Sequence, residues 1–114
     1  PEDVNVDMED VMVIDSQATA TMARQVGPEE WAQLKAAPAF MHQFRLVMPD
    51  VELPDHPLQM HGSGVQHVVG LILLTKLATL IGKRPMWRYP ESHLHPRYQL
   101  GLADLAIHLS KAKP

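Results

Sequence analysis

The stretch VQHVVGLILLTKLATLI, residues 65–81, decides the fold. It is the most apolar part of the chain, yet Gln66, His67, Gly70 and Lys76 interrupt it. A membrane-spanning helix needs about 20 predominantly apolar residues, so this run is short and polar for that role. It reads instead as a buried core helix around which everything else must pack. Gly62-Ser63-Gly64 marks a break before it and Gly82 ends it. Lys83 and Arg84 follow, near the negative end of the helix dipole.

Upstream of this helix, prolines and glycines punctuate the chain. Gly27-Pro28-Glu29-Glu30 is a strong helix start. Proline suits the first helical position, where no donor is needed, and acids favour the positive end of the dipole. That helix carries Trp31 and Leu34 inward and stops near Ala37, because Pro38 disfavours helical geometry before it. Pro38 starts another, on which Phe40, Met41, Phe44, Val47 and Met48 share one face. Residues 16–26 read as a helix with Ser16 as its N-cap and Gly27 as its terminator. Residues 4–14 admit two readings. Val4, Val6 and Met8 alternate with Asn5, Asp7 and Glu9, and Val11-Met12-Val13-Ile14 suits a short buried strand, so a short hairpin fits. A helical stripe through Val4, Met8, Val11, Ala18, Met22 and Val26 competes with it.

Two proline-rich segments, 49–57 and 83–96, read as loops. Residues 97–111 form an amphipathic helix, with Tyr98, Leu102, Leu105 and Leu109 on the buried stripe. Arg97, Gly101, Asp104, His108 and Lys111 lie on the opposite stripe. The expected fold is one mainly α domain over 1–114, with roughly four or five helices packed around 65–81. The alternative is α+β, with the hairpin at 4–14.

Composition agrees with a globular chain: 46% hydrophobic and 20% charged residues over 114 positions, too apolar for disorder. There is no cysteine, which removes disulfides, thiolate nucleophiles and cysteine-ligated metals. The acidic start Pro1-Glu2-Asp3 does not read as a secretory signal, and a cytoplasmic setting is expected. The net charge of −3 divides unevenly, with a balance of −8 in residues 1–55 and +5 in 56–114. Such an asymmetry marks either a binding face or two solvated faces that attract each other within or between copies.

The feature that points furthest toward function is the segment 83–98. Lys83, Arg84, Arg88 and Arg97 interleave there with Trp87, Tyr89 and Tyr98, against one acid, Glu91. Cations meet phosphates or acidic partners, and aromatics anchor interfaces. A negative net charge and the lack of a nucleic-acid-binding motif put a protein partner, or self-association, ahead of nucleic acid. The partner surface is therefore expected at Lys83, Arg84, Trp87, Arg88 and Tyr89, on a non-enzymatic interaction or regulatory module. The plainer reading is that the aromatics pack the loop while the cations are solvated.

A second reading uses histidine, the commonest neutral metal ligand. His56, His61 and His67 cluster around the first loop, with Met60 among them, and His93-Leu94-His95 lies in the second. If these converge, with Asp55 or Glu91, they could hold zinc, or copper with Met60. No spacing matches a recognised metal motif. A third reading takes Ser63 and Gly64 as an anion site, since backbone donors at a helix start attract phosphate or carboxylate. The plain alternative is that Ser63 caps the helix. Seven methionines are most simply core packing, with Met60 and Met86 the ones placed in loops.

Overall fold

A computed structural model describes residues 10–111. Five helices and two short strands follow in the order β1 (Val11–Ile14), α1 (Ser16–Arg24), α2 (Pro28–Ala36), α3 (Pro38–Val47), α4 (Ser63–Leu80), β2 (Arg84–Trp87) and α5 (Pro96–Lys111). A 3-10 turn at Leu58–Met60 sits between α3 and α4. The domain is mainly α around the central apolar helix, as expected.

The local signals act close to where the sequence places them. Pro28 and Pro38 open α2 and α3. Gly82 ends α4 at φ 77°, a left-handed conformation that costs glycine little. Its N–H donates to the Thr79 carbonyl at 3.2 Å and the Lys83 N–H to the Ala78 carbonyl at 2.8 Å. That pair of bonds satisfies the carbonyls a helix end leaves open. Two caps differ by one residue. Asp15, not Ser16, caps α1: its carboxylate accepts from the Ala18 N–H at 2.9 Å. Gly62, not Ser63, holds the cap position of α4, so the Ser63 side chain caps nothing. Gly27 caps the start of α2 rather than closing α1, whose C-cap is Gln25.

The strands correct two expectations. Val11–Ile14 is a strand, but it does not fold back in a hairpin. It pairs in parallel with Arg84–Trp87, in the register Val11 with Arg84 through Ile14 with Trp87. The rest of the hairpin reading, residues 4–9, lies outside the described residues. The segment 83–96 therefore contains a strand that its prolines obscure. Pro85 is tolerated because a two-stranded sheet has only edge strands, where a missing N–H can face away from the ladder. Of β1 only Ile14 is fully buried.

The core centres on the first half of α4. Residues Val65 and His67 through Ile72 are buried, against Phe40, Phe44 and Val47 of α3, Leu58, and Leu105 of α5. Burying such aliphatic and aromatic side chains contributes roughly 1.5–3 kcal/mol each. Two glycines let helices approach closely. A Cβ on Gly70 would lie 2.8 Å from the Thr19 Cα of α1, and one on Gly101 would lie 2.7 Å from the Val47 Cα of α3. Gly101 is thus a packing position, although the helical wheel sets it on the polar stripe of α5.

Candidate functional site

Beyond Ile72, α4 loses its cover. Thr75 and Ala78 stay buried on the side facing the core, while Leu77, Leu80 and Ile81 are exposed, Leu80 at 82%. β2 passes on one side of this half-helix and the last turns of α5 on the other. Between them lies a cleft of about 680 Å³, lined by Thr75, Thr79, Lys83, Arg84, Pro85, Trp87, Ala106, Leu109 and Ser110. A recess of about 300 Å³ adds Lys76 and Leu80 and shares Thr75, Thr79 and Leu109 with it.

Hydrogen bonds set the wall of the cleft. Trp87 Nε1 donates to Thr75 Oγ1 at 2.9 Å, and that hydroxyl donates to the Leu71 carbonyl at 2.7 Å. The indole is therefore fixed on the helix, with its polar atom satisfied and its remaining surface turned to an apolar floor shared with Ala106 and Leu109. Lys83 and Arg84 stand at the edge. The ion pairs among the described residues, Lys35 with Asp55 and Arg97 with Asp50, involve neither of them. Burial pushes the Lys76 ammonium below its usual value.

The five residues expected to bind a partner divide here. Lys83, Arg84 and Trp87 line the cleft. Arg88 and Tyr89 do not: the Arg88 N–H donates to the Ile14 carbonyl at 2.9 Å, and its guanidinium lies 5.8 Å from the Tyr89 ring centroid. Tyr89 is 67% exposed at φ 50°. Tyr98 is not surface at all. It is buried, and its hydroxyl donates to Asp50 Oδ1 at 2.9 Å. Thr75, Thr79, Ala106, Leu109 and Ser110 come from helices, and only the tertiary fold brings them to the segment. A faint signal was present: the apolar stripe of α5 runs on to Leu109, beyond the last core residue, Leu105.

The histidines do not form one cluster. His56 and His61 stand 6.2 Å apart between ring centroids, beside Trp31, whose Nε1 donates to the His56 carbonyl at 3.0 Å. Burial, then the neighbouring charges of His56 and Lys35, lowers the His61 pKa, and its Nε2 is buried without a partner. His67 and His93 form a second pair, 6.0 Å apart. His95 lies beside Tyr98 and accepts the Arg97 N–H at Nδ1. Among the described residues, no three His, Cys, Asp or Glu side chains gather where they could hold a metal ion.

His67 is engaged at both nitrogens. Its Nε2 lies 2.7 Å from the Pro90 carbonyl, which only accepts, so we assign the proton there. Its Nδ1 is 2.8 Å from Thr19 Oγ1, and in the neutral ring it accepts from that hydroxyl. Burial holds the ring below its usual pKa. His67 is therefore a buried strut tying α4 to α1 and to the loop after β2, with no lone pair left over for a metal.

Of Ser63 and Gly64, the expected anion site, Ser63 lines a recess of about 160 Å³ with Ser16, Thr19, Ala20, Gln66, His67 and His93, and Gly64 does not. No Lys or Arg lines that recess. The His93 carbonyl oxygen lies 3.1 Å from where a Gly64 Cβ would stand, an electronegative neighbour for any anion.

No protein-family model, curated protein or solved structure matches the chain, so the functional reading rests on the geometry of the cleft.

Proposed function

We propose that the chain is a non-enzymatic interaction module whose cleft between α4, β2 and α5 receives an acidic, amphipathic segment of a protein partner. The observation that carries this reading is the uncovered end of α4. An apolar floor of Trp87, Ala106 and Leu109 adjoins, through Leu109, the recess lined by exposed Leu80, and Lys83 and Arg84 line the same cleft. An apolar surface rimmed by charge is what a partner with the opposite charge and its own apolar face fits. Charge complementarity would set orientation and association rate, and the apolar contact would set residence time.

Selection from a random peptide library displayed on phage tests this. The expected ligands alternate acidic and apolar residues. They should lose affinity by about tenfold or more toward a Lys83→Glu/Arg84→Glu variant, the size of about 1.4 kcal/mol. Failure to enrich any peptide, or peptides indifferent to both the double charge reversal and Leu109→Asp, would overturn the reading.

A further inference from the structure

Among the described residues, the closest pair of imidazoles lies away from the cleft and from both proline-rich loops. His42 of α3 and His108 of α5 stand with ring centroids 5.0 Å apart and planes tilted by 58°. We propose that this pair is a two-histidine site for a divalent transition metal ion of the zinc or copper class, bridging α3 to α5.

Antiparallel packing brings the two rings together. Near the start of α5 the Tyr98 hydroxyl donates to Asp50, just past the end of α3. One turn on, Gly101 lets α5 meet the backbone of Leu46 and Val47. Positions thus rise along α5 as they fall along α3, and the same register continued sets His108 beside His42. Fully buried Phe44 and Leu105 anchor the two helices close to the pair. Ligands carried on packed helices are held in place before the ion arrives.

The separation fits coordination of one ion. A zinc–nitrogen bond of about 2.1 Å puts each ring centroid about 3.2 Å from the metal, and a tetrahedral angle then separates two centroids by about 5.2 Å. The pairs His56–His61 and His67–His93 are wider, at 6.2 and 6.0 Å. They are also compromised: Lys35 adds positive charge at His61, and both His67 nitrogens are engaged.

The His42 and His108 rings are available. Among the described residues, the histidine ring nitrogens that hydrogen-bond belong to His67 and His95. His42 is exposed and His108 half-buried, so an ion in solution reaches both. Arg45, one turn along α3, is drawn to the Met48 and Val51 carbonyls. On α5, Asp104 and Lys111 flank His108 with opposite charges. No third carboxylate or imidazole among the described residues closes the shell, so water takes the remaining positions and binding is reversible. Imidazole donors without thiolate suit zinc, copper or nickel, with copper the tightest.

Calorimetric titration of the untagged full chain with zinc chloride tests this. The tightest event should be one ion per chain, and zinc should raise the melting temperature. His42→Ala and His108→Ala should each weaken that event by about tenfold or more, and the double variant should add little, because the first substitution already removes the chelate. His56→Ala should leave it unchanged. Should an alanine variant not fold, Cu(II) at about a tenth of an equivalent added to the parent chain should broaden the amide NMR signals around His42 and His108 first. Zinc binding no tighter than about millimolar would overturn the proposal. So would losses below about tenfold in the two single variants. Sensitivity to His56→Ala instead, or first broadening at another histidine, would also overturn it.

Discussion

Acidification should weaken the fold through His67, and the sign of the effect follows from its surroundings. The ring is 3% exposed, with Nε2–H donated to the Pro90 carbonyl and Nδ1 accepting from Thr19. Desolvation is the leading cause that lowers its pKa below 6.5; the bond to Pro90 and the charge of Glu91 oppose it, and His93 adds to it. An unfolded chain exposes the same ring at its ordinary pKa. Below pH 6.5 the unfolded state therefore binds a proton that the folded state refuses, and stability falls as pH falls. For one proton the slope cannot exceed about 1.4 kcal/mol per pH unit; it is confined to the interval around and between the lowered native pKa and 6.5, and fades above 6.5 as the unfolded ring also becomes neutral. Urea unfolding followed by circular dichroism, across about pH 5 to 8, measures it. A His67→Gln variant keeps an N–H donor but cannot titrate, so the difference between the two curves isolates this ring from His61 and from the carboxylates. The native chain should lose more stability than the variant between neutral pH and about pH 5. Parallel curves, or a native chain that gains stability on acidification, would refute the argument.

Other consequences concern packing and the cleft. Gly70→Ala and Gly101→Ala should each lower stability by about 1–3 kcal/mol, because the new methyl meets backbone of the facing helix. Helix propensity alone predicts a gain of about 1 kcal/mol, so the sign of the melting-temperature change decides between the two effects. Asp15→Ala should cost about 1 kcal/mol in urea unfolding by removing the cap on the Ala18 N–H. Lys83→Glu/Arg84→Glu should leave stability within about 0.5 kcal/mol of the parent, as expected of a solvated strand edge carrying no ion pair among the described residues. A larger loss in chemical denaturation would mean that these cations hold the fold.

How much of this was legible in the sequence depends on the range of each signal. Pro28, Pro38 and Gly82 act on their own backbone, so the helices they open or close were readable one residue at a time. Residues 65–81 announced a core helix because no other stretch is so apolar. The pairing of β1 with β2 was not readable. Its partners are separated by all of α1 to α4, and Pro85 makes β2 look like a loop. Gly101 misled for a related reason: a helical wheel assigns a face by polarity, and a glycine chosen for close approach to Leu46 and Val47 carries none. Of the candidate site, the cations and Trp87 were visible because they are contiguous. Thr75, Thr79, Ala106 and Leu109 were not, since they belong to two helices that meet only in the fold. Tyr98 was ambiguous in principle. It belonged both to the buried stripe of α5 and to the aromatic segment, and the core claimed it through Asp50.

The most direct test of the binding cleft is a map of backbone amide shifts in the full chain as a library-selected acidic peptide is added. The account predicts that the largest shifts fall on Thr75 to Arg84, on Trp87 and on Ala106 to Ser110. Shifts centred instead on Arg88 and Tyr89, or on the His56–His61 face beside Trp31, would contradict it.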